Sequence, residues 1–174
     1  MKSLTLALIA ALLPFAAQAQ SAAEPVNRVM DVAKARWEST EGPGGDYFDH
    51  LDRDFSKSFV AAYNAASKYP AYDEGDSPFD YDVITSSQDG CPLRDVIVSP
   101  EGDKGGVSVV AVRFRLWACS SDAESQAKIN ELKFDVVTEG GKPVIADIHR
   151  LQDGRWDTLV GEVEETVRLG QARQ

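Results

Sequence analysis

The chain has 174 residues, 43% of them hydrophobic, and a formal net charge of -10 at pH 7. This length and composition suit one globular domain with a substantial core. The acidic balance excludes the basic surface that nucleic-acid-binding proteins need, and an acidic membrane surface would repel the chain. We therefore expect no nucleic-acid partner and no membrane insertion, although acidity by itself identifies no partner.

The N-terminal segment has the features of a secretory signal peptide. Lys2 supplies a positive start, Leu4 to Leu13 form an apolar run, and small residues predict cleavage between Ala19 and Gln20. The apolar run is shorter than the roughly 20 residues that a bilayer-spanning helix needs. No cysteine lies near the cut to carry a lipid anchor. We predict removal of residues 1–19 and export to the bacterial periplasm or medium, without a lipid anchor.

Two helices are predicted in the N-terminal half. The first covers Glu24 to Glu38 and the second covers residues 47–68, with a glycine-rich loop at Gly42–Gly45 between them. Apolar residues recur in both segments at helical spacing. In the first helix they are Val26, Val29, Met30, Ala33 and Trp37, and in the second Phe48, Leu51, Phe55, Phe59 and Tyr63. Pro25 suits a first helical turn, and Tyr69-Pro70 ends the second helix. An acidic loop follows, at Tyr72 to Pro78.

Beyond Leu93 the apolar residues alternate with polar ones, which predicts strands. The predicted strands lie around Val96 and Val98, at Val107–Ala118, at Lys128–Thr138 and at Pro143–Arg150. Residues 99–106 form a hairpin turn and residues 120–127 a polar loop. The order of helices and then antiparallel strands is typical of an α+β fold. We expect N-terminal helices packed on one face of a curved antiparallel sheet of about four strands, all in one domain over residues 20–174.

The C-terminal segment allows two interpretations. Trp156, Leu159, Val160, Val163 and Val167 have helical spacing, which predicts a closing helix over residues 155–169 capped by Asp153. The alternative is a hairpin that turns at Asp153-Gly154, with a further strand at Arg155–Val160.

The two cysteines, Cys91 and Cys119, are expected to form a structural disulfide, because exported chains oxidise their thiols. A hairpin centred near Asp103 or Lys104 places Cys91 about opposite Trp117, close to Cys119. The Cα atoms would then lie within the roughly 4.4–6.8 Å that a disulfide requires. Two cysteines without nearby histidines do not make a zinc site, so no metal is expected there.

Each predicted strand has one apolar and one charged face. From the three long strands we expect no ionisable group on the apolar face, which lowers the probability of an enzyme with its pocket between sheet and helices. The other face carries both signs of charge and is expected to be either solvated or a partner or homodimer surface with Trp117 as its anchor. His50 and His149 are expected to be exposed, and no catalytic motif is present.

The segment F-D-Y-D-V-I-T-S-S-Q-D-G-C-P, residues 79–92, joins the helices to the sheet and concentrates polar side chains. Its binding candidates are Asp80, Asp82, Gln88 and Asp89. Asp residues suit turn capping as well as ligand or calcium binding. The preceding loop lacks the EF-hand pattern, since Pro78 stands sixth from Asp73 where glycine is required. No cofactor or metal is predicted.

This segment, with its surroundings, resembles the family called domain of unknown function 3828. The motifs that carry the resemblance are Tyr47-Phe48 to Leu51, Asp80-x-Asp82, Gln88-Asp89 and Asp147-Ile148. The resemblance covers roughly residues 24–168 and implies the cone-shaped α+β fold of nuclear transport factor 2 and ketosteroid isomerase, with a pocket. It implies no activity. Lys142-Pro143 departs from the family, whose members often have a tryptophan there.

Three functions are compatible with these patterns. The first is a periplasmic, non-enzymatic module that binds a small ligand or a protein. The second is a cone-fold lyase, isomerase or hydrolase with Asp80, Asp82 or Asp89 as base and Tyr63, Tyr69 or Tyr72 as polarising hydroxyl. The third is a periplasmic inhibitor or immunity-type protein that uses its acidic surface against a basic enzyme. We favour the first, with no catalytic residue assigned.

Overall fold

The structure, a computed structural model, describes residues 13–39, 46–73 and 75–173, with side chains from Ser21 onward. The helices are α1 (Leu13–Glu38), α2 (Leu51–Asp54), α3 (Lys57–Ala66), α4 (Ala123–Ala127) and α5 (Leu159–Gln171). The strands are β1 (Arg94–Lys104), β2 (Val107–Arg115), β3 (Asn130–Glu139), β4 (Lys142–Gln152) and β5 (Arg155–Thr158). The predicted α+β class, with N-terminal helices, an antiparallel sheet and a closing C-terminal helix, is confirmed.

The sheet has five strands rather than about four. They are antiparallel and ordered β1-β2-β3-β4-β5, so each strand pairs with its neighbour in the chain. The first hairpin is tighter than predicted, because β1 continues to Lys104 and only Gly105 and Gly106 turn. Both glycines have positive φ, which a two-residue hairpin turn requires.

One face of the sheet forms the core together with the helices. Its buried side chains are Val110, Val112, Phe114, Leu132, Phe134, Val136, Ile145 and Ile148. They pack against buried residues of α1, α3 and α5, among them Val26, Met30, Phe59, Leu159 and Val163. The alternation that predicted the apolar faces of β2 and β3 is confirmed. The pairing of β3 with β4, however, is irregular between Asp135 and Val136 of β3. As a result, Ile145 of β4 lies in the core in place of the predicted Ala146.

The prediction that this face carries no ionisable group from the long strands is wrong at Arg150. Arg150 follows Ile148 by two residues in β4 and is only 2% exposed. It has the same parity as Ile148, so the alternation itself assigns it to the core side. Its charge is balanced by acidic side chains from β5 and α5, which are described with the site.

The predicted helix over residues 47–68 is broken at Phe55 and Ser56. The backbone there is extended and forms a parallel bridge with β4, in which the Ser56 N–H donates to the Ile145 carbonyl over 2.8 Å. The Ser56 side chain then caps α3 by accepting from the Phe59 N–H over 3.1 Å. The break therefore joins the helical layer to the edge of the sheet.

At the C-terminus, both sequence interpretations are partly right. Asp153 and Gly154 turn with positive φ and Arg155–Thr158 form β5, as the hairpin alternative predicts. The closing helix starts later than predicted, at Leu159. Its N-cap is Thr158, whose Oγ1 accepts from the Gly161 N–H over 2.9 Å, so the predicted cap at Asp153 is wrong.

The first helix starts earlier than predicted. It begins at Leu13, continues through Ala19 and Gln20, and contains Pro25 in its interior rather than in its first turn. Residues 1–12, which hold most of the predicted signal peptide, lie outside the described residues. Within the described part of the chain, no helix has the length and apolarity needed to cross a membrane.

Cys91 and Cys119 form the predicted disulfide, with their Cα atoms 5.8 Å apart. Cys91 is buried and its N–H donates to the Leu116 carbonyl over 2.9 Å, which extends the β1–β2 pairing by one connection. The disulfide therefore ties the segment that enters the sheet to the end of β2, and it implies folding in an oxidising environment.

Candidate functional site

A cleft of about 580 Å³ lies between the end of α1, the start of the second helical region and the segment that enters the sheet. We call it the aromatic cleft. Six of its fifteen lining residues are aromatic: Trp37, Tyr47, Phe48, Tyr72, Phe79 and Tyr81. Its charged and amide side chains are Arg36, Asp46, Asp80, Asp82 and Gln88. Three of the four binding residues predicted from the sequence therefore line one cleft.

Asp82 is held by hydrogen bonds on both carboxylate oxygens. Oδ1 accepts from the Ile84 N–H at 3.1 Å and from the Thr85 N–H at 2.9 Å, and the Thr85 hydroxyl adds a bond of 3.1 Å. Oδ2 accepts from Trp37 Nε1 at 3.2 Å and from the Tyr47 hydroxyl at 2.5 Å. With its side chain 8% exposed, Asp82 closes the turn that enters the sheet and fixes two aromatic walls of the cleft.

Tyr47 and Arg36 complete this polar base. Burial raises the pKa of the Tyr47 phenol above its ordinary value, and the neighbouring Asp82 carboxylate raises it further. The Arg36 guanidinium lies over the Tyr47 ring at 5.1 Å from its centroid. Arg36 also lies 3.6 Å from carboxylate oxygens of Asp46 and of Asp82. The cleft thus holds one cation of its own chain against an aromatic face and two carboxylates.

The other three predicted residues are more accessible. Gln88 is exposed, and its side-chain amide donates to the Asp80 carbonyl over 2.8 Å, which closes the loop between them. The Asp80 carboxylate lines the cleft and makes no hydrogen bond or ion pair with any residue in the described ranges. Asp89 is exposed and does not line the cleft, so its predicted membership of the site is not supported by its position.

Of the tyrosines considered as polarising hydroxyls, only Tyr72 lines the cleft, and it is 61% exposed at its rim. Tyr63 belongs to the aromatic cluster behind the wall, 4.4 Å from Phe48 between ring centroids, and burial raises its pKa to about 12. Tyr69 packs on Gly170, where an added Cβ would lie 2.3 Å from the ring. Tyr63 and Tyr69 therefore have packing roles.

A partly buried network behind Tyr81 was missed by the sequence reasoning. The Tyr81 hydroxyl donates to Glu162 Oε2 and accepts from Arg150 Nη1, both at 2.5 Å. Arg150 also donates to Asp157 from Nε at 2.8 Å and to Glu162 from Nη2 at 2.6 Å. Burial raises the pKa of Tyr81. Burial lowers the pKa of Arg150, but hydrogen bonds to Asp157 and Glu162 outweigh it and leave the pKa above its usual range. This network couples the cleft wall to β4, β5 and α5.

The charged outer face of the sheet has a shallower depression of about 570 Å³, bordered by the turn end of β1. His149 is half-buried rather than fully exposed, with its Nε2 2.9 Å from Asp135 Oδ2. Lys133 bonds Glu101 at 2.8 Å and lies 5.5 Å from the centre of the Trp156 ring. The aromatic residue of this face is therefore Trp156. The predicted anchor, Trp117, follows the end of β2 and packs against the core cluster.

A larger depression, of about 970 Å³, lies between α1, α3 and the turn from β3 to β4. Three of its charged side chains, Glu24, Arg28 and Arg53, form ion pairs within the chain. The buried Asp54 carboxylate accepts from Arg28 Nε at 2.6 Å and from Arg53 Nη2 at 2.6 Å, and the Glu139 carboxylate accepts from the Lys57 N–H at 3.3 Å. With few aromatic walls, it offers less for specific recognition than the aromatic cleft does.

No group of three or more histidine, cysteine, aspartate or glutamate side chains is arranged to hold a metal ion within the described ranges. Comparisons of the chain with protein-family models, with curated proteins and with solved structures gave no match in any of the three.

Proposed function

We propose that this protein is an exported, non-enzymatic binding module and that the aromatic cleft is its ligand site. The cleft combines a concave aromatic wall with a few fixed polar groups, which is the usual composition of a small-molecule site. The Cys91–Cys119 disulfide supports export, since such bonds persist in oxidising compartments. The predicted signal peptide assigns the route, and the periplasm is the compartment that we propose.

The observation that carries the proposal is that both carboxylate oxygens of Asp82 are occupied by hydrogen bonds within the chain. A general base needs a free lone pair within reach of the substrate proton. Both oxygens of Asp82 already accept hydrogen bonds from the chain, and its Oδ2 accepts from Tyr47 and Trp37. The most buried carboxylate of the cleft is therefore committed to structure. Asp80 is exposed to water and lacks the desolvated surroundings in which catalytic carboxylates usually lie.

The resemblance to the domain of unknown function 3828 and to the cone-shaped fold belongs to the same proposal. The α+β order of elements supports it, and a cleft at the junction of helices and sheet is where such a fold would have its pocket. A homodimer through the charged sheet face is a weaker proposal. Several charges of that face already pair within one chain, as in Arg113 with Glu131 and Lys133 with Glu101.

A small-molecule screen tests the binding function. Compounds are ranked by the increase that they cause in the thermal unfolding midpoint, because a ligand that binds only the folded state stabilises it. Each hit is repeated on Tyr72→Ala, which removes the exposed ring at the rim of the cleft, and on Trp156→Ala, which removes an exposed ring of the sheet face.

We expect hits that stabilise the wild type and Trp156→Ala equally and Tyr72→Ala less. Hits that are lost in Trp156→Ala but retained in Tyr72→Ala would move the ligand site to the sheet face. A broad library without any hit that depends on either ring would count against the binding function itself.

A further inference from the structure

We propose that the aromatic cleft binds an organic cation, namely an alkylammonium or guanidinium group. This inference rests on the proposed function, since it names the class of ligand for the same cleft. It draws on the charge of the cleft, on the way the cleft already holds a cation, and on the position of its unpaired carboxylate.

The negative charge of the cleft favours a cationic ligand. Among the described lining residues, the carboxylates are Asp46, Asp80 and Asp82, and the cation is Arg36. Arg36 lies 3.6 Å from both Asp46 and Asp82, so one cation faces two carboxylates and these three groups keep one net negative charge. The Asp80 carboxylate adds a further negative charge, with no hydrogen bond or ion pair to any residue that the structure describes. An incoming cation would neutralise it, whereas an incoming anion would meet an excess of negative charge.

The aromatic wall of the cleft also favours a cationic ligand. A cation is attracted to the face of a tyrosine or tryptophan ring within about 6 Å of its centroid. The chain uses this contact twice at the cleft, with Arg36 at 5.1 Å from the Tyr47 ring and Arg150 at 5.6 Å from the Tyr81 ring. The Tyr72 ring at the rim is 61% exposed. It gives a ligand the same kind of surface, in the cleft that contains Asp80.

The net charge of the whole chain attracts cations over a longer range. The chain carries a formal net charge of -10. A field of this sign concentrates cations near the surface and accelerates their association. The same charge disfavours an anionic ligand, although Arg36 lies in the cleft.

The recognised group has two sources, a free amine or the lysine or arginine side chain of another protein. Titrations of the isotope-labelled protein followed by ¹H–¹⁵N NMR distinguish them. The free probes are the capped amides of arginine, lysine and citrulline. Citrulline has nearly the shape of arginine but a neutral urea in place of the guanidinium. A short peptide with one central arginine represents the side chain of a protein.

We expect the arginine and lysine probes to shift the amide signals of Tyr72, Asp80, Tyr81 and Gln88 and the indole N–H signal of Trp37. The citrulline probe should not shift them at equal concentration. Asp80→Asn should weaken cation binding by about two- to fivefold. Tyr72→Leu, which keeps an apolar side chain but removes the ring, should weaken it by about two- to fivefold. Asp89→Asn is the matched control, since Asp89 is exposed in the same segment but does not line the cleft.

Equal shifts with citrulline and arginine, or no weakening in Asp80→Asn, would overturn the cation proposal. If a neutral hit from the screen moves the cleft signals while no cation does, the cation proposal fails and the binding function stands. If nothing moves them, both fail. Stronger binding of the peptide than of the free amide would assign the cation to a protein side chain, and equal binding would assign it to a small amine.

Discussion

The Tyr47 hydroxyl donates a 2.5 Å hydrogen bond to Asp82 Oδ2, across 35 positions of the chain. This bond links the start of the second helical region to the segment that enters the sheet. The Trp37 indole reaches the same oxygen from α1. One carboxylate therefore connects three separate parts of the chain at the base of the aromatic cleft.

Asp82→Asn should lower the free energy of unfolding by about 1.5 to 3 kcal/mol, the range for lost hydrogen bonds to a charged group. If the asparagine amide nitrogen replaces Oδ2, it faces two donors, Trp37 and Tyr47, and if it replaces Oδ1 it faces the N–H groups of Ile84 and Thr85. Urea unfolding followed by circular dichroism measures the change. The matched variant Asp80→Asn should stay within about 0.5 kcal/mol of the wild type, and equal losses in both variants would contradict the structural role of Asp82.

Arg150→Met should destabilise the protein by about 2 to 3 kcal/mol. Breaking a buried ion pair typically costs about 3 to 5 kcal/mol, and we lower this range because Asp157 and Glu162 keep side-chain exposures of 45% and 32%. Arg155→Ala, which removes an exposed arginine from the next strand, is the control and should have little effect. Combining Arg150→Met with Tyr81→Phe should give a coupling energy of about 1 kcal/mol. Strict additivity would show that the two side chains do not act together.

The stability of the protein should fall on acidification because of Asp54. Burial raises the pKa of this carboxyl, but the hydrogen bonds from Arg53 and Arg28 outweigh burial and hold the pKa below its unfolded value of 3.8. The unfolded chain then binds more protons, so the contribution of Asp54 is fully present above pH 3.8 and is lost as the pH falls through the folded pKa.

Asp54→Asn should therefore be less stable than the wild type at pH 7, with a gap that narrows below about pH 4. Urea midpoints measured from pH 2.5 to pH 7 test this prediction. Asp52→Asn is the control, because Asp52 is exposed beside the same cluster. A gap that stays constant down to the lowest pH would mean that Asp54 does not titrate as described.

Loss of the disulfide should lower stability by about 3 to 4 kcal/mol, the chain-entropy value for a loop of this length. The cysteines are separated by 28 positions, and both lie outside the aromatic cleft. The double variant Cys91→Ser/Cys119→Ser, compared with the oxidised wild type in urea, gives the difference. Thiol titration of the denatured, unreduced wild type should detect no free cysteine, and two free thiols would refute the bond.

Local sequence pattern was sufficient for the elements whose partners are near in the chain. Alternation predicted the core faces of β2 and β3, and the hairpin register brought Cys91 near Cys119. The break at Phe55 and Ser56 was not predictable in this way, because an apolar stripe continues through it. The backbone leaves the helix there to pair with Ile145, and no local pattern encodes a bridge to so distant a strand.

The candidate site, too, has features that local sequence predicts and features that depend on distant parts of the chain. The aspartates and the glutamine of residues 80–88 attracted attention because they are concentrated in sequence, and they do line the cleft. Composition alone did not distinguish the hydrogen-bonded carboxylate of Asp82 from the accessible carboxylate of Asp80. The difference arises from hydrogen-bond donors elsewhere in the chain, on α1 and at Tyr47. Arg150 was missed although its parity with Ile148 placed it on the core side. The acidic partners that make its burial tolerable come from β5 and α5.

The bridge between Phe55 and Ile145 also affects how molecules of this protein meet in solution. It covers the early part of β4 on the side where β5 pairs only from His149 onward. The long outer edge left among the described strands is that of β1, which carries two register shifts and Pro100. Bulges and proline on an edge strand prevent a second chain from adding to the sheet. These features of β1 therefore disfavour edge-to-edge pairing of two sheets.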